Sequence, residues 1–175
     1  AASDVYKRQA MGTALGFEQA AMAAVLRSYR GLPHRTEFVA EINGVRWYND
    51  SKGTNVGASL AALEGLHEDD ETRIVLIAGG DCKGASFDDI VVAAKRFARA
   101  VVLIGRDANE IARVLVDHVP VERATDLADA VARAALMAAP GDRVLLSPAC
   151  ASFDMFRDYV HRGECFESLV REVAS

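Results

Sequence analysis

The sequence predicts an α/β fold, a Rossmann-like open sheet of mostly parallel strands with helices on both faces, entered through a β-hairpin. Three observations carry that reading. Short apolar runs stand at 73–78 (RIVLIA), 100–105 (AVVLIG) and 143–147 (RVLLS), with a weaker one at 119–123 (VPVER). Unbroken apolar runs of that length suit strands buried on both faces. Helix-length segments near 56–64, 86–97, 107–117 and 126–138 separate them, and strands alternating with helices build a parallel sheet. Finally, the alternating runs EFVAEI and VRWYN flank Asn43-Gly44. A type I′ hairpin turn needs positive φ at both central residues, which Asn-Gly tolerates.

The elements follow in order. Residues 1–9 (AASDVYKRQ) begin without Met, show no periodicity and are set apart as an unmatched leader. From 10 to 30 an Ala-rich run places Leu15, Met22, Val25, Leu26 and Tyr29 at helical spacing, and Gly31 and Pro33 stop it. The stretch 31–35 reads as a linker. Helix starts carry side chains able to accept from free N–H groups: Asn55, Ser86 with Asp89, Asp107 with Glu110, and Thr125 or Asp126. A closing pair of helices is expected near 153–161 and 164–173, split at Gly163.

Composition narrows the function. A net charge of −5 over 175 residues, with no basic stripe, argues against nucleic acid as a partner. No apolar run approaches the roughly 20 residues of a membrane span. Lys7 and Arg8 ahead of 10–17 faintly resemble a signal peptide, but Glu18 interrupts it, and cytoplasm is the expected compartment. Cys82, Cys150 and Cys165 are odd in number and form no C-x-x-C, so neither a disulfide framework nor a zinc site is expected. His34, His67, His118 and His161 lack ligand spacing, and no metal ligand is assigned.

Ligands in open parallel sheets bind beyond the carboxyl ends of strands. Three loops there carry polar residues that the fold alone does not require. Asn49-Asp50-Ser51-Lys52-Gly53-Thr54-Asn55 combines a carboxylate, a lysine and two hydroxyls ahead of a helix, which suits phosphate chemistry or a plain cap. Gly79-Gly80-Asp81-Cys82-Lys83-Gly84-Ala85-Ser86 is neither a Walker A loop nor G-x-G-x-x-G. It is a close backbone approach with a ligand-facing lysine, or a tight turn with a solvated one. Ser147-Pro148-Ala149-Cys150-Ala151-Ser152-Phe153-Asp154 crowds small residues before the last helices, where Ser152 could serve a ligand or a cap.

In this order, and together with Gly31-Leu32-Pro33-His34-Arg35, these stretches resemble the Mur ligase family from about residue 10 onward. The Arg35 and Asp50 signatures are shared with folylpolyglutamate synthases, while SPACAS points to the D-glutamate-adding branch. The resemblance implies an ATP-dependent ligase of peptidoglycan biosynthesis that adds D-glutamate to UDP-N-acetylmuramoyl-L-alanine through an acyl phosphate. It implies that 36–175 is the family's C-terminal domain and 10–35 the helical end of the central ATP-binding domain plus linker. The P-loop and the carbamylated lysine that helps hold Mg2+ belong to the family's central domain, and neither stands in this sequence. These residues are therefore expected to need their central and N-terminal domains for turnover.

By position, Arg35 corresponds to the linker arginine that reaches ATP phosphates and Asp50 to the aspartate on the ribose. Lys52 is close enough to be a second phosphate-side cation. Thr54, Lys83, Ser152, the Phe153 backbone and Tyr159 correspond to D-glutamate contacts. Gly53, Cys82 and Tyr159 depart from the family's usual Ala, Gly and Phe, and only Tyr159 touches a ligand role. Another Mur ligase, a folylpolyglutamate synthase or an inactive nucleotide-binding module are the alternatives.

Overall fold

The hairpin strands β1 (Glu37–Ile42) and β2 (Val45–Asn49) open a sheet continued by β3 (Ile74–Gly79), β4 (Ala98–Ile104), β5 (Val121–Arg123) and β6 (Arg143–Leu146). In a computed structural model, which describes residues 9–29, 31–67 and 71–173, the strand order is β1-β2-β6-β3-β4-β5. Only β1 and β2 pair antiparallel; every other neighbouring pair is parallel. The hairpin turn is as the sequence predicts, with φ of 52° at Asn43 and 77° at Gly44.

Between the strands lie α2 (Val56–Leu66), α3 (Asp88–Phe97), α4 (Ala108–Leu115) and α5 (Leu127–Met137), and α6 (Tyr159–Val173) closes the chain, α1 (Gln19–Ser28) having preceded the sheet. Successive strand residues point to opposite faces, and the core divides accordingly. Leu76, Leu103 and Leu145 pack with Leu63, Phe97 and Ile111 of α2–α4 on one face. Val75, Val102 and Val144 pack with Val131, Phe166 and Val170 of α5 and α6 on the other. Each fully buried Leu, Val or Phe among them stabilises the fold by about 1.5–3 kcal/mol.

The chain divides into two compact units, Ala1–Gly31 and Leu32–Ser175. In the first, residues 9–14 and Gln19–Ser28 are helical. The single helical run expected over 10–30 is thus interrupted, with Gly16 at φ 76°. None of the side chains of α1 is buried, and Met11, Leu15 and Phe17 are at least 60% exposed, so the described residues of this unit bury no apolar side chain. The leader expected at 1–9 lies, apart from Gln9, outside the described residues.

Two expectations need correction. Residues 153–158 form turns, and one helix runs through Gly163 in place of a split pair. A Cβ at Gly163 would collide with His34 Nδ1 and come within 3.0 Å of Asn49 Nδ2, so this glycine serves close approach and not helix termination. Among the caps, Asn55 and Asp126 accept from the N–H groups of Ala58 and Asp129 at 2.9 and 2.8 Å. Asp107 occupies its cap position without capping, because its carboxylate turns to the Cys82 N–H at 2.7 Å.

Candidate functional site

Strands β2, β6 and β3 are neighbours, so the loops at 50–55, 147–154 and 80–86 leave the sheet side by side. The chain leaves β3 for α3 on one face and leaves the adjacent β6 for α6 on the other. Divergence of that kind opens a crevice at the carboxyl ends of the strands.

The floor of this crevice is polar and buried. Asp50 is 7% exposed; Ser147 Oγ donates to one of its oxygens at 2.6 Å and the Thr36 N–H to the other at 3.0 Å. Burial pushes the Asp50 carboxyl above its ordinary value, while the Ser147 and Thr36 hydrogen bonds and the charge of Arg35 act against that rise. Glycine at 53 makes room for this arrangement. A Cβ there would collide with Asp50 Oδ2 and sit 2.7 Å from Ser147 Oγ.

Arg162 ties the floor together. It is 1% exposed, and its Nε donates to Ser51 Oγ at 3.0 Å, Nη2 to the Ser51 carbonyl at 2.8 Å and Nη1 to the Cys150 carbonyl at 3.2 Å. Burial pulls its pKa down to about 10, which still leaves it charged at neutral pH. Ser51 Oγ in turn donates to the Tyr159 carbonyl at 2.8 Å. Alongside, Asn49 Nδ2 donates to Glu167 Oε1 at 2.8 Å and lies 2.9 Å from His34 Nδ1.

Sequence reasoning left this network out. Arg162, Phe166 and Val170 recur at i, i+4 and i+8 on the inward face of α6, and a charge in line with buried apolar residues was the available signal. His34, which lacks ligand spacing to the other histidines, lies with Glu37 and Glu167 so that one possible ligand atom of each falls within 4.8 Å of the others. Their polar atoms already serve Asn49 and the His34 N–H, to which Glu37 Oε2 is bonded at 2.9 Å.

The opposite wall is the 80–86 turn. Gly80 has φ of 132°, and a Cβ on it would collide with the Ala151 carbonyl oxygen. That approach lets Asp81 and Ala151 exchange backbone hydrogen bonds at 3.0 and 2.9 Å. Asp81 pairs with Arg106, and this hydrogen bond holds its carboxyl below the usual range. Lys83 has φ of 51° and an exposed side chain, and its N–H donates to Asp81 Oδ1 at 3.2 Å. Against expectation, Cys82 and Cys150 form a disulfide, with Cα atoms 4.4 Å apart across a sequence separation of 68. Their proximity comes from β3 and β6 being neighbours, which spacing along the chain does not reveal.

Between floor and wall lies a cavity of about 250 Å³. Lys52, Thr54, Lys83, Ser152, Phe153 and Tyr159 all line it, together with Asp81 and Asp158. Lys52 Nζ stands 3.9 Å over the Tyr159 ring. The N–H groups of Ser152 and Phe153 make no hydrogen bond among the described residues, which leaves two donors beside the two lysines. Arg35 and Asp50 do not line this cavity: Arg35 is exposed on the linker, and Asp50 is buried against Ser147. The arrangement can hold a small molecule with two anionic groups. A larger hollow of about 750 Å³ in the first unit is lined mainly by apolar residues such as Leu15, Phe17 and Val25, with no lysine or arginine among its lining residues.

Residues 34–150 match the family described as Mur ligase, glutamate ligase domain. The chain is 51% identical over 166 residues to the UDP-N-acetylmuramoylalanine–D-glutamate ligase of Nitrosococcus oceani, covering 95% of this chain and 36% of that protein. It thus spans about a third of the length of the curated relatives it matches. The crystal structure of the UDP-N-acetylmuramate-alanine ligase of Thermotoga maritima superposes with a TM-score of 0.63 at 14% identity, over 93% of this chain and 36% of that one. The MurF ligase of Thermotoga maritima in complex with ADP gives 0.60 at 17% identity, over 93% and 36%. At such identities these structures speak for the fold alone.

Proposed function

Because the chain belongs to the Mur ligase family, we propose that it is the C-terminal domain of an ATP-dependent ligase that joins D-glutamate to UDP-N-acetylmuramoyl-L-alanine. The observation that carries this reading is the convergence of Lys52, Thr54, Lys83, Ser152, Phe153 and Tyr159 on one small cavity at the crevice. D-Glutamate brings two carboxylates and an amine. Lys83 and the free N–H groups at 152 and 153 suit its carboxylates, with the Thr54 and Ser152 hydroxyls completing the donors. Fixing both carboxylates leaves the amine free to attack an acyl phosphate once it has lost a proton, and positioning of this kind is a large part of catalysis.

Arg35 is assigned to the ATP phosphates. Its neighbour Thr36 is bonded to Asp50, so Asp50 fixes the linker from which the guanidinium reaches out, besides being assigned to the ribose. Lys52 is assigned to the phosphoryl side of the cavity, where a cation offsets charge that builds in the transition state. ATP use is supported by the ADP held in the MurF neighbour. A Mg2+ ion does not fit this cavity, since Asp81 is taken by Arg106 and Asp158 by the His161 N–H at 2.8 Å. We therefore assign the ion to the central domain and derive no step through it here. Residues 10–35 are assigned to the end of that domain and its linker, and we expect the 175 residues alone to be inactive.

In the full-length enzyme, incorporation of radiolabelled amino acids into the UDP-linked acceptor tests the reading. D-Glutamate should be the amino acid taken up; preferential uptake of L-alanine, a diamino acid or a γ-linked glutamate on a folate would sink it. Arg35→Ala should impair ATP use more than D-glutamate affinity, and unchanged ATP kinetics would remove the linker assignment.

A further inference from the structure

We propose that Cys82 and Cys150 are a reversible thiol–disulfide pair that sets how firmly the substrate pocket is held, a reading that rests on the D-glutamate site proposed above. The bond joins the 80–86 turn to the 147–154 loop at the point where both line the cavity. Lys83 directly follows one cysteine, and Ser152 stands two residues beyond the other. Oxidation therefore couples Lys83 to the Ser152 and Phe153 donors, the groups proposed together to hold the D-glutamate carboxylates.

The other ties on the turn are few: the two-bond Asp81–Ala151 bridge, the Cys82 N–H to Asp107 at 2.7 Å, the Asp107 N–H to the Gly80 carbonyl at 3.2 Å, and an Arg106 pair whose arginine side chain is 60% exposed. With the thiols reduced, the turn loses its one covalent tie to the 147–154 loop, and these hydrogen bonds and ion pairs hold Lys83 in register. The floor would not change, because Arg162 and Ser51 fix it independently of sulfur.

The chemistry needs an oxidant of the small-disulfide class, such as oxidised glutathione. Cys82 lines the cavity and is 7% exposed, against 1% for Cys150, so it is the thiol a small disulfide reaches. Its thiolate attacks one sulfur of that disulfide, forming a mixed disulfide and releasing one small thiol. The Cys150 thiolate then attacks the Cys82 sulfur, forms the intramolecular bond and releases the second small thiol. The two protons lost by the cysteines end on the two released thiols, and reduction runs the same steps backwards. Cys165, part-exposed on α6 and unpaired, is an internal control.

The test uses the full-length enzyme equilibrated in glutathione buffers of different ratio. Peptide mapping without reductant should yield a linked peptide carrying Cys82 and Cys150 in oxidising buffer and separately alkylated peptides in reducing buffer. Loss of the bond should speed amide hydrogen exchange in 80–86 and raise the KM for D-glutamate roughly two- to tenfold, the cost of ordering one loop and its side chain on binding. Cys82→Ser should sit at the reduced value in every buffer. Separate alkylation of both cysteines in oxidising buffer would overturn the pairing. A linked peptide with exchange in 80–86 unchanged between redox states would overturn the coupling. The exchange arm uses no substrate, so a redox effect on exchange without one on KM would support the clamp and count against the D-glutamate assignment of Lys83.

Discussion

The floor of the crevice holds Asn49, Asp50, Ser51, Ser147 and Ser152 at 7% exposure or less, whereas the facing turn leaves 83–86 exposed to solvent. The two regions follow neighbouring strands and meet at one cavity, which Ser152 lines beside the floor and Asp81, Cys82 and Lys83 line from the turn, yet they obey different constraints. A buried polar group must find partners or cost about 1–3 kcal/mol, so the floor tolerates a single geometry. The turn is tied mainly by the Asp81–Ala151 bridge, the Cys82–Cys150 bond and exposed ion pairs, and it can adjust as a ligand arrives. Substitutions in the floor should therefore register in folding, and substitutions in the turn should register in substrate affinity.

The largest effect expected is on the floor. Arg162→Ala would strand the Ser51 and Cys150 carbonyls and open a void, costing about 3 kcal/mol or more. Urea unfolding of the chain measures it. A loss under about 1 kcal/mol would mean that the floor is no more constrained than the turn, and the contrast would collapse.

On the turn, Lys83→Ala should leave urea stability within about 0.5 kcal/mol of wild type, as for an exposed side chain. In the full-length enzyme it should raise the KM for D-glutamate roughly ten- to a hundredfold, the cost of deleting one partner of a charged hydrogen bond. Lys95→Ala, in the last turn of α3, is the control. Near-wild-type KM in both variants would leave the Gly79–Gly84 turn as architecture.

The contrast also explains what the sequence made legible. Continuous apolar runs identified β3, β4 and β6 within two residues at each end, and Asn43-Gly44 fixed the hairpin, because these signals are local. The six cavity residues were legible through the resemblance, and their convergence follows from the adjacency of β2, β6 and β3. The hydrogen-bond network of the floor was not legible. Arg162 pairs with residues 111 and 12 positions away, Asn49 with Glu167 at 118, and Cys82 with Cys150 at 68. Such partners are chosen by strand order, which local pattern leaves open. Gly163 was misread for the same reason, since what it accommodates is His34 from the far end of the chain.

A smaller effect sharpens where the floor ends. Asn55 follows the loop that carries Lys52 and Thr54, and its side chain caps α2 through the Ala58 N–H. Asn55→Ala should cost about 1 kcal/mol of stability and leave the D-glutamate KM unchanged. A KM change of more than about threefold, in a variant that is otherwise folded, would extend the ligand site into the cap.

The smallest effect concerns the boundary itself. Lys52 is part-buried on the floor loop, and its Nζ lies 3.9 Å above the ring of Tyr159, the first residue of α6. A cation on an aromatic face at a partly exposed site is worth about 0.5–1 kcal/mol. A double-mutant cycle of Lys52→Ala and Tyr159→Leu, read by urea unfolding, should return a coupling of about that size, because each single change removes the same contact. Tyr159→Phe keeps the ring and should retain most of the coupling. Measured again with D-glutamate bound in the full-length enzyme, the coupling should fall if Lys52 leaves the ring for an anion in the cavity. A coupling indistinguishable from zero without ligand would assign Lys52 to the adjustable wall with Lys83, and the rigid floor would then stop at Ser51.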